Sequence, residues 1–186
     1  MKHGTTVLVV GPNDSGKSAF AEKLAAKLCA QPEGNAAGTL YYIATMDPYG
    51  EEGQARIEKH RMQREPFGFI TIEERSCVSG IPFPREAVVL LEDVSNLLGN
   101  ALFGGSRNGS EDSVFEDIAA LCAKCRAAVL VSIGELAGGQ GYDGETHGYI
   151  DKLNRLNQRL LDFADAAVSM RDGKPSVIKG DGYALD

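Results

Sequence analysis

Thr5-Thr6-Val7-Leu8-Val9-Val10-Gly11-Pro12-Asn13-Asp14-Ser15-Gly16-Lys17-Ser18-Ala19-Phe20-Ala21-Glu22-Lys23-Leu24 is the stretch that decides the fold. Its first six residues form an apolar, β-branched run, the pattern of a strand buried on both faces. From Lys17 to Ala30, Phe20, Leu24 and Leu28 recur every fourth residue, which predicts a helix. Between strand and helix lies Gly-x4-Gly-Lys-Ser, and this is the context in which that motif cradles phosphates. Its glycines let backbone N–H groups turn inward, and the helix N-terminus adds positive potential. Gly11, Pro12, Asn13, Asp14, Ser15, Gly16, Lys17 and Ser18 are therefore the predicted phosphate-binding residues. Lys17 is expected to reach the β- and γ-phosphates of ATP or GTP, and Ser18 to ligate Mg²⁺. The alternative is a glycine-rich turn that holds nothing.

Outward from the loop, strands and helices alternate. Thr39–Thr45, Gly68–Glu73, Ala87–Leu91 and Ala127–Ile133 read as further strands. Glu51–Arg64, ended by Pro66, reads as a helix, as do Val94–Phe103, Ser113–Arg126 and Thr146–Phe163. Gln31–Gly38, Gly104–Ser110 and Ala137–Gly144 read as loops. Ala166–Met170 and Ser176–Lys179 close the chain as a hairpin through Arg171-Asp172-Gly173-Lys174, with Asp-Gly as the turn signal. The expectation is an α/β chain with a RecA-like P-loop NTPase fold, in one domain over residues 1–186. Its sheet should be mostly parallel, covered by helices on both faces, with the hairpin as an antiparallel edge.

Bulk composition narrows the function. The chain has 186 residues, 43% of them apolar, enough to fill a core. A net charge of −7 argues against a coat for nucleic acid or an anionic membrane. No stretch approaches the roughly 18–20 apolar residues of a membrane span, and the N-terminus shows no cleavable signal pattern. A cytoplasmic location with reduced cysteines is expected. Cys122 and Cys125 form a C-x-x-C in a helical run without a second pair or a nearby His, and read as small core residues rather than a zinc site.

Two further places carry chemistry. A carboxylate is expected at the end of a neighbouring strand to hold the Mg²⁺ shell, and Val88-Val89-Leu90-Leu91-Glu92-Asp93 supplies it. The alternative is a pair of solvated loop acids. In Gln54–Arg64, Arg56, His60 and Arg64 stand four apart and share one helix face, with Lys59 and Arg61 beside them. Clustered cations attract phosphate and disfavour imidazole protonation, a combination suited to attack on a nucleotide phosphorus. The alternative is a surface histidine on a basic helix. His3 and His147 read as incidental.

These pieces resemble, in order and spacing over nearly the whole chain, the bifunctional adenosylcobinamide kinase/adenosylcobinamide-phosphate guanylyltransferases of cobalamin synthesis. The phosphate loop, Tyr42-Ile43-Ala44-Thr45, Ala55-Arg56-Ile57 with His60-Arg61 and Arg64, and Thr71 and Glu73 carry the likeness. So do Leu90-Leu91-Glu92 with Asn100, Asn157-Gln158, and the ending Val177-Ile178-Lys179-Gly180. The resemblance implies two reactions at one nucleotide site. A nucleoside triphosphate phosphorylates the aminopropanol hydroxyl of adenosylcobinamide. His60 then takes GMP from GTP and passes it to adenosylcobinamide phosphate. By the same likeness Ile43, Ala44, Thr45, Arg61, Met62, Gln63, Arg64, Glu73 and Glu92 line the guanine nucleotide site, Ser18 and Glu92 hold Mg²⁺, and the chain assembles as a homo-oligomer. The sequence differs from the family pattern at Asp14, where an arginine is usual, at Phe69, where a tryptophan is usual, and over Ile133–Gly141 and His147–Lys152. The rival readings are a diverged P-loop kinase and a nucleotide-binding regulatory protein without one or both activities.

Overall fold

The computed structural model describes residues 4–31, 38–46, 58, 61–62, 64–104, 109–134 and 144–180. Its centre is a seven-stranded sheet in the order β3-β2-β4-β5-β1-β6-β7. The strands are β1 (Thr5–Gly11), β2 (Thr39–Ala44), β3 (Ile70–Glu73), β4 (Ala87–Glu92), β5 (Ala127–Ile133), β6 (Ala166–Arg171) and β7 (Lys174–Lys179). All neighbours pair in parallel except β6 and β7, which form the antiparallel edge. The α/β class with a mostly parallel sheet is as the sequence predicts.

Strand alternation divides the core into two layers, because successive side chains point to opposite faces. Val7, Val9, Val88, Leu90, Val129 and Val131 pack beneath α1 (Lys17–Ala30), whose Ala21, Leu24 and Ala25 are buried against them. Leu8, Val89, Leu91 and Leu130 face α2 (Val94–Phe103), α3 (Glu111–Cys122) and α4 (Gly144–Phe163). Leu153, Leu156 and Leu160 of α4 and Val114, Ile118 and Leu121 of α3 close that layer, and each is at most 4% exposed. Cys122 and Cys125 are buried thiols of the same core, both pushed up to about 12 by burial.

Some boundaries differ from the sequence reading. Helix α3 starts at Glu111 and stops at Cys122, because Ser110 and Ser113 form a reciprocal capping box that fixes the start before Ser113. The strand expected from Gly68 begins at Ile70, since Glu65–Phe67 makes a 3₁₀ turn and Gly68 leaves it with φ 71°. The hairpin turn is only Asp172-Gly173, with φ of 49° and 72°, so β7 begins two residues earlier than expected. Of the helix expected over Glu51–Arg64, residues Glu58, Arg61, Met62 and Arg64 are described and helical; the others lie outside the described residues. Among the described residues no helix is long and apolar enough to cross a membrane.

Candidate active site

The phosphate loop leaves β1 at Gly11. A Cβ there would stand 2.6 Å from the Met170 carbonyl oxygen and 2.7 Å from Ser15 Oγ, so only glycine fits. Asp14, at φ 57°, and Gly16, at φ 83°, turn the chain into α1. Gly16 caps that helix without a side-chain bond, and the first turn holds no acid. The leading N–H groups of α1 are thus left without a capping side chain, the arrangement that receives an anion. By contrast, Asp93 caps α2 and Ser110 caps α3. Pro12, Asn13, Asp14 and Gly16 are exposed, while Ser15 and Lys17 are buried. Lys17 folds back so that Nζ donates to the Pro12 carbonyl at 3.0 Å. The loop is braced from behind by the β6–β7 turn, where Gly173 N–H donates to the Ser15 carbonyl at 3.1 Å.

Glu92 ends β4, whose other residues, Ala87 to Leu91, are wholly buried. β5 lies between β1 and β4 in the sheet, yet Ser18 Oγ donates a short hydrogen bond to Glu92 Oε1. Glu92 Oε2 is buried with no hydrogen-bond partner. Burial raises the Glu92 carboxyl above its ordinary range; the Ser18 bond, Arg64 and Lys17 pull it back, and Asp93 adds to the rise. An unpartnered buried carboxylate oxygen beside a serine hydroxyl is a hard-oxygen donor set of the kind Mg²⁺ takes, with phosphates and waters completing its shell. The residues present therefore fit that cation.

Beside this pair opens a cleft of about 1200 Å³, with Asn13, Ala44, Arg61, Arg64, Glu73 and Glu92 among its lining residues. Met62 also lines it and is exposed, as are Arg61 and Glu73. Arg64 is instead buried, its guanidinium 3.5 Å above the Tyr42 ring. Tyr42 in turn meets Phe69 edge-on at 6.0 Å, and Phe69 meets Phe67 at 6.2 Å.

Two of the residues expected to line the site do not present side chains to it. Ile43 and Thr45 are fully buried, because they share the strand face opposite Tyr42 and Ala44. Ile43 packs in the core under α2, α3 and α4. The Thr45 hydroxyl donates to the Asp93 carbonyl at 2.8 Å and accepts from Asp93 N–H at 2.7 Å. Asn100 Nδ2 donates to the Thr45 carbonyl at 2.8 Å. These residues shape the wall rather than form its surface. His60 and Gln63 lie outside the described residues.

Sequence reasoning passed over Tyr42 and Asn96 as cleft residues; Asp93, offered beside Glu92 as a carboxylate, lines the same wall. It missed Glu22 as well, although an acid four residues after Ser18 on a helix shares its face. Glu22 is 3% exposed, and Oε1 has no partner.

The loop, the crossing carboxylate and the arginine-lined wall draw on β1, β2, β4 and the segment before β3. One family model spans all of them, that of cobinamide kinase / cobinamide phosphate guanyltransferase, matching residues 7–178. The chain belongs to this family. No curated protein matches it in sequence. Membership makes the chain a transferase of cobalamin biosynthesis, a kinase and nucleotidyltransferase whose substrates are nucleotides and a corrinoid.

Proposed function

We propose that the chain runs both family reactions at this one cleft, and that the second proceeds through GMP carried on His60. The observation that supports this reading most is that Arg61, Met62 and Arg64, which follow position 60, line the same cleft as Asn13 and Glu92.

In the kinase step, the hydroxyl oxygen of adenosylcobinamide attacks the γ-phosphorus of the triphosphate. The hydroxyl proton passes to solvent water, the P–O bond to the β-phosphate breaks, and the nucleoside diphosphate leaves. Lys17, released from the Pro12 carbonyl, would meet the β- and γ-phosphates, and the uncapped end of α1 would receive their charge. Ser18 and Glu92 would hold Mg²⁺, which when bound neutralises phosphate charge.

In the transfer step, the neutral imidazole of His60 attacks the α-phosphorus of GTP, a P–N bond forms and pyrophosphate departs. Lys17, Arg61 and Arg64 are the cations on hand to stabilise the leaving charge. A phosphate oxygen of adenosylcobinamide phosphate then attacks the same phosphorus. The P–N bond breaks, His60 is regenerated and adenosylcobinamide-GDP is released.

The decisive experiment is incubation with α-labelled GTP, followed by a denaturing gel and peptide mapping. Acid-labile label on the peptide containing His60, lost in His60→Ala, is the expected result. Label retained in that variant, or mapped to His3 or His147, would overturn the assignment. An unlabelled parent would reject the covalent route.

A further inference from the structure

Among the described residues four buried side-chain atoms lack hydrogen-bond partners: Ser15 Oγ, Glu22 Oε1, Arg64 Nε and Glu92 Oε2. The phosphate loop and a cation account for the first and the last. The other two are an acceptor and a donor of opposite charge on residues only 3% and 6% exposed. Glu22 lies one turn beyond Ser18 on α1, and Arg64 opens the 3₁₀ turn Glu65–Phe67, which packs against that helix. Arg64 is also the cation whose charge offsets both Glu22 and Glu92. Its guanidinium spends its face on the Tyr42 ring, which leaves Nε–H to find an acceptor. As they stand the two atoms are unbonded; above about pH 7, where the Glu22 carboxyl ionises, an acid and a guanidinium buried side by side are driven to close directly or through one water.

We propose that Glu22 is a positioning residue for guanylyl transfer, holding Arg64 against Tyr42 so that the segment carrying His60 is fixed relative to the phosphates. The inference rests on the reading of His60 given above. Arg64 follows His60 by four residues in sequence, and Arg61, Met62 and Arg64 are helical. An anchor at Arg64 therefore limits where the imidazole can stand, and in-line attack on phosphorus is sensitive to displacements of about 1 Å. Glu22 touches no reacting atom in this scheme. It acts through Arg64.

The test uses Glu22→Gln, which keeps side-chain shape, with Glu22→Ala, Arg64→Ala and the double variant Glu22→Ala/Arg64→Ala. At pH 8, where the Glu22 carboxyl is ionised, single-turnover labelling by α-labelled GTP at saturation should fall about 10- to 100-fold in each single variant, while half-saturation by GTP moves less than the rate. The double variant should lose no more than the worse single one, because both act through one contact. Multiplied losses, or an unchanged rate in Glu22→Gln, would overturn the proposal; a residue that only supports folding would lower the melting temperature and leave the folded fraction's rate alone. A second readout needs no activity. The ¹⁵N-arginine Nε–H resonance lost in Arg64→Lys should be ring-shifted and exchange-protected in the parent and lose that protection in Glu22→Gln. If the parent takes up no label, the His60 reading and the catalytic part of this proposal fall together. The Glu22–Arg64 contact is then judged on the resonance alone, and an Nε–H signal indifferent to Glu22 would remove it as well.

Discussion

Ser18 and Glu92, 74 positions apart in sequence, are joined by a hydrogen bond from the serine hydroxyl to Oε1, although β5 separates their strands in the sheet. The bond leaves Oε2 buried and open, so the pair is arranged to receive something rather than to be complete by itself. Glu92→Gln keeps the size and can still accept from Ser18, but removes the charge and weakens the hard donor. The Mg²⁺ concentration giving half-maximal activity should rise about 10- to 100-fold, the scale of losing a bond to a charged group. A magnesium titration superimposable on the parent's would take the metal role away from Glu92.

Lys17 is nearly buried, and in this state its ammonium is satisfied by the Pro12 carbonyl at 3.0 Å. Binding a triphosphate exchanges that neutral acceptor for an anionic one, a stronger bond. Lys17→Ala should weaken GTP binding in calorimetry by about 10- to 100-fold and abolish turnover. If the variant bound GTP as tightly as the parent, the loop would not be a phosphate site.

Asp14 places a carboxylate on the exposed rim of the loop, at φ 57°. Few residues other than Gly, Asn and Asp accept that conformation readily. Asp14→Asn therefore removes the charge without straining the turn. It should tighten GTP more than GMP, by about two- to fivefold at low ionic strength, with the difference shrinking as salt is added. Equal effects on both nucleotides would mean that the Asp14 charge is not felt at the outer phosphates.

Much of the fold was legible because the strands are continuous apolar runs and the turns carry their own chemistry. Val88 to Leu91 could hardly be anything but a central strand, and Asp172-Gly173 supplies the two positive φ angles of a tight hairpin. The start of α3 was missed because Ser110 sits in a Gly/Ser/Asn stretch that reads as loop, so its capping bond with Ser113 was invisible. In β2, period-two alternation groups Ile43 with Thr45 and Tyr42 with Ala44, but only the tertiary structure says which pair faces the cleft. Asp93 was available as a spare metal carboxylate; it is used to cap α2, accepting from Asn96 N–H at 2.7 Å. The bracing of the phosphate loop by Gly173 joins residues some 158 positions apart, and no local pattern announces such a contact.

Glu22 also makes the free protein's stability depend on pH in a direction opposite to most carboxylates. Burial pushes its carboxyl up from 4.5 to about 7, the charge of Glu92 adds to the rise, and Arg64 opposes it. The folded state therefore keeps a proton that the unfolded chain has already released between these two values. Stability from this group is fully present below pH 4.5, falls as pH rises through the window, and levels off above about 7. The shift corresponds to at most about 3 kcal/mol, reduced by whatever water reaches the carboxyl. Glu22→Gln removes the titration. Without nucleotide or magnesium, it should match the parent near pH 4.5 and exceed it at pH 8 by roughly 1–3 kcal/mol in urea unfolding. Carboxyls held low by exposed hydrogen bonds, such as Glu74 and Glu111, work in the other direction. They are common to both proteins and cancel in the difference. Stability curves that stay parallel from pH 4.5 to 8 would show that Glu22 is ionised in the folded chain throughout, and that Arg64 outweighs both burial and Glu92.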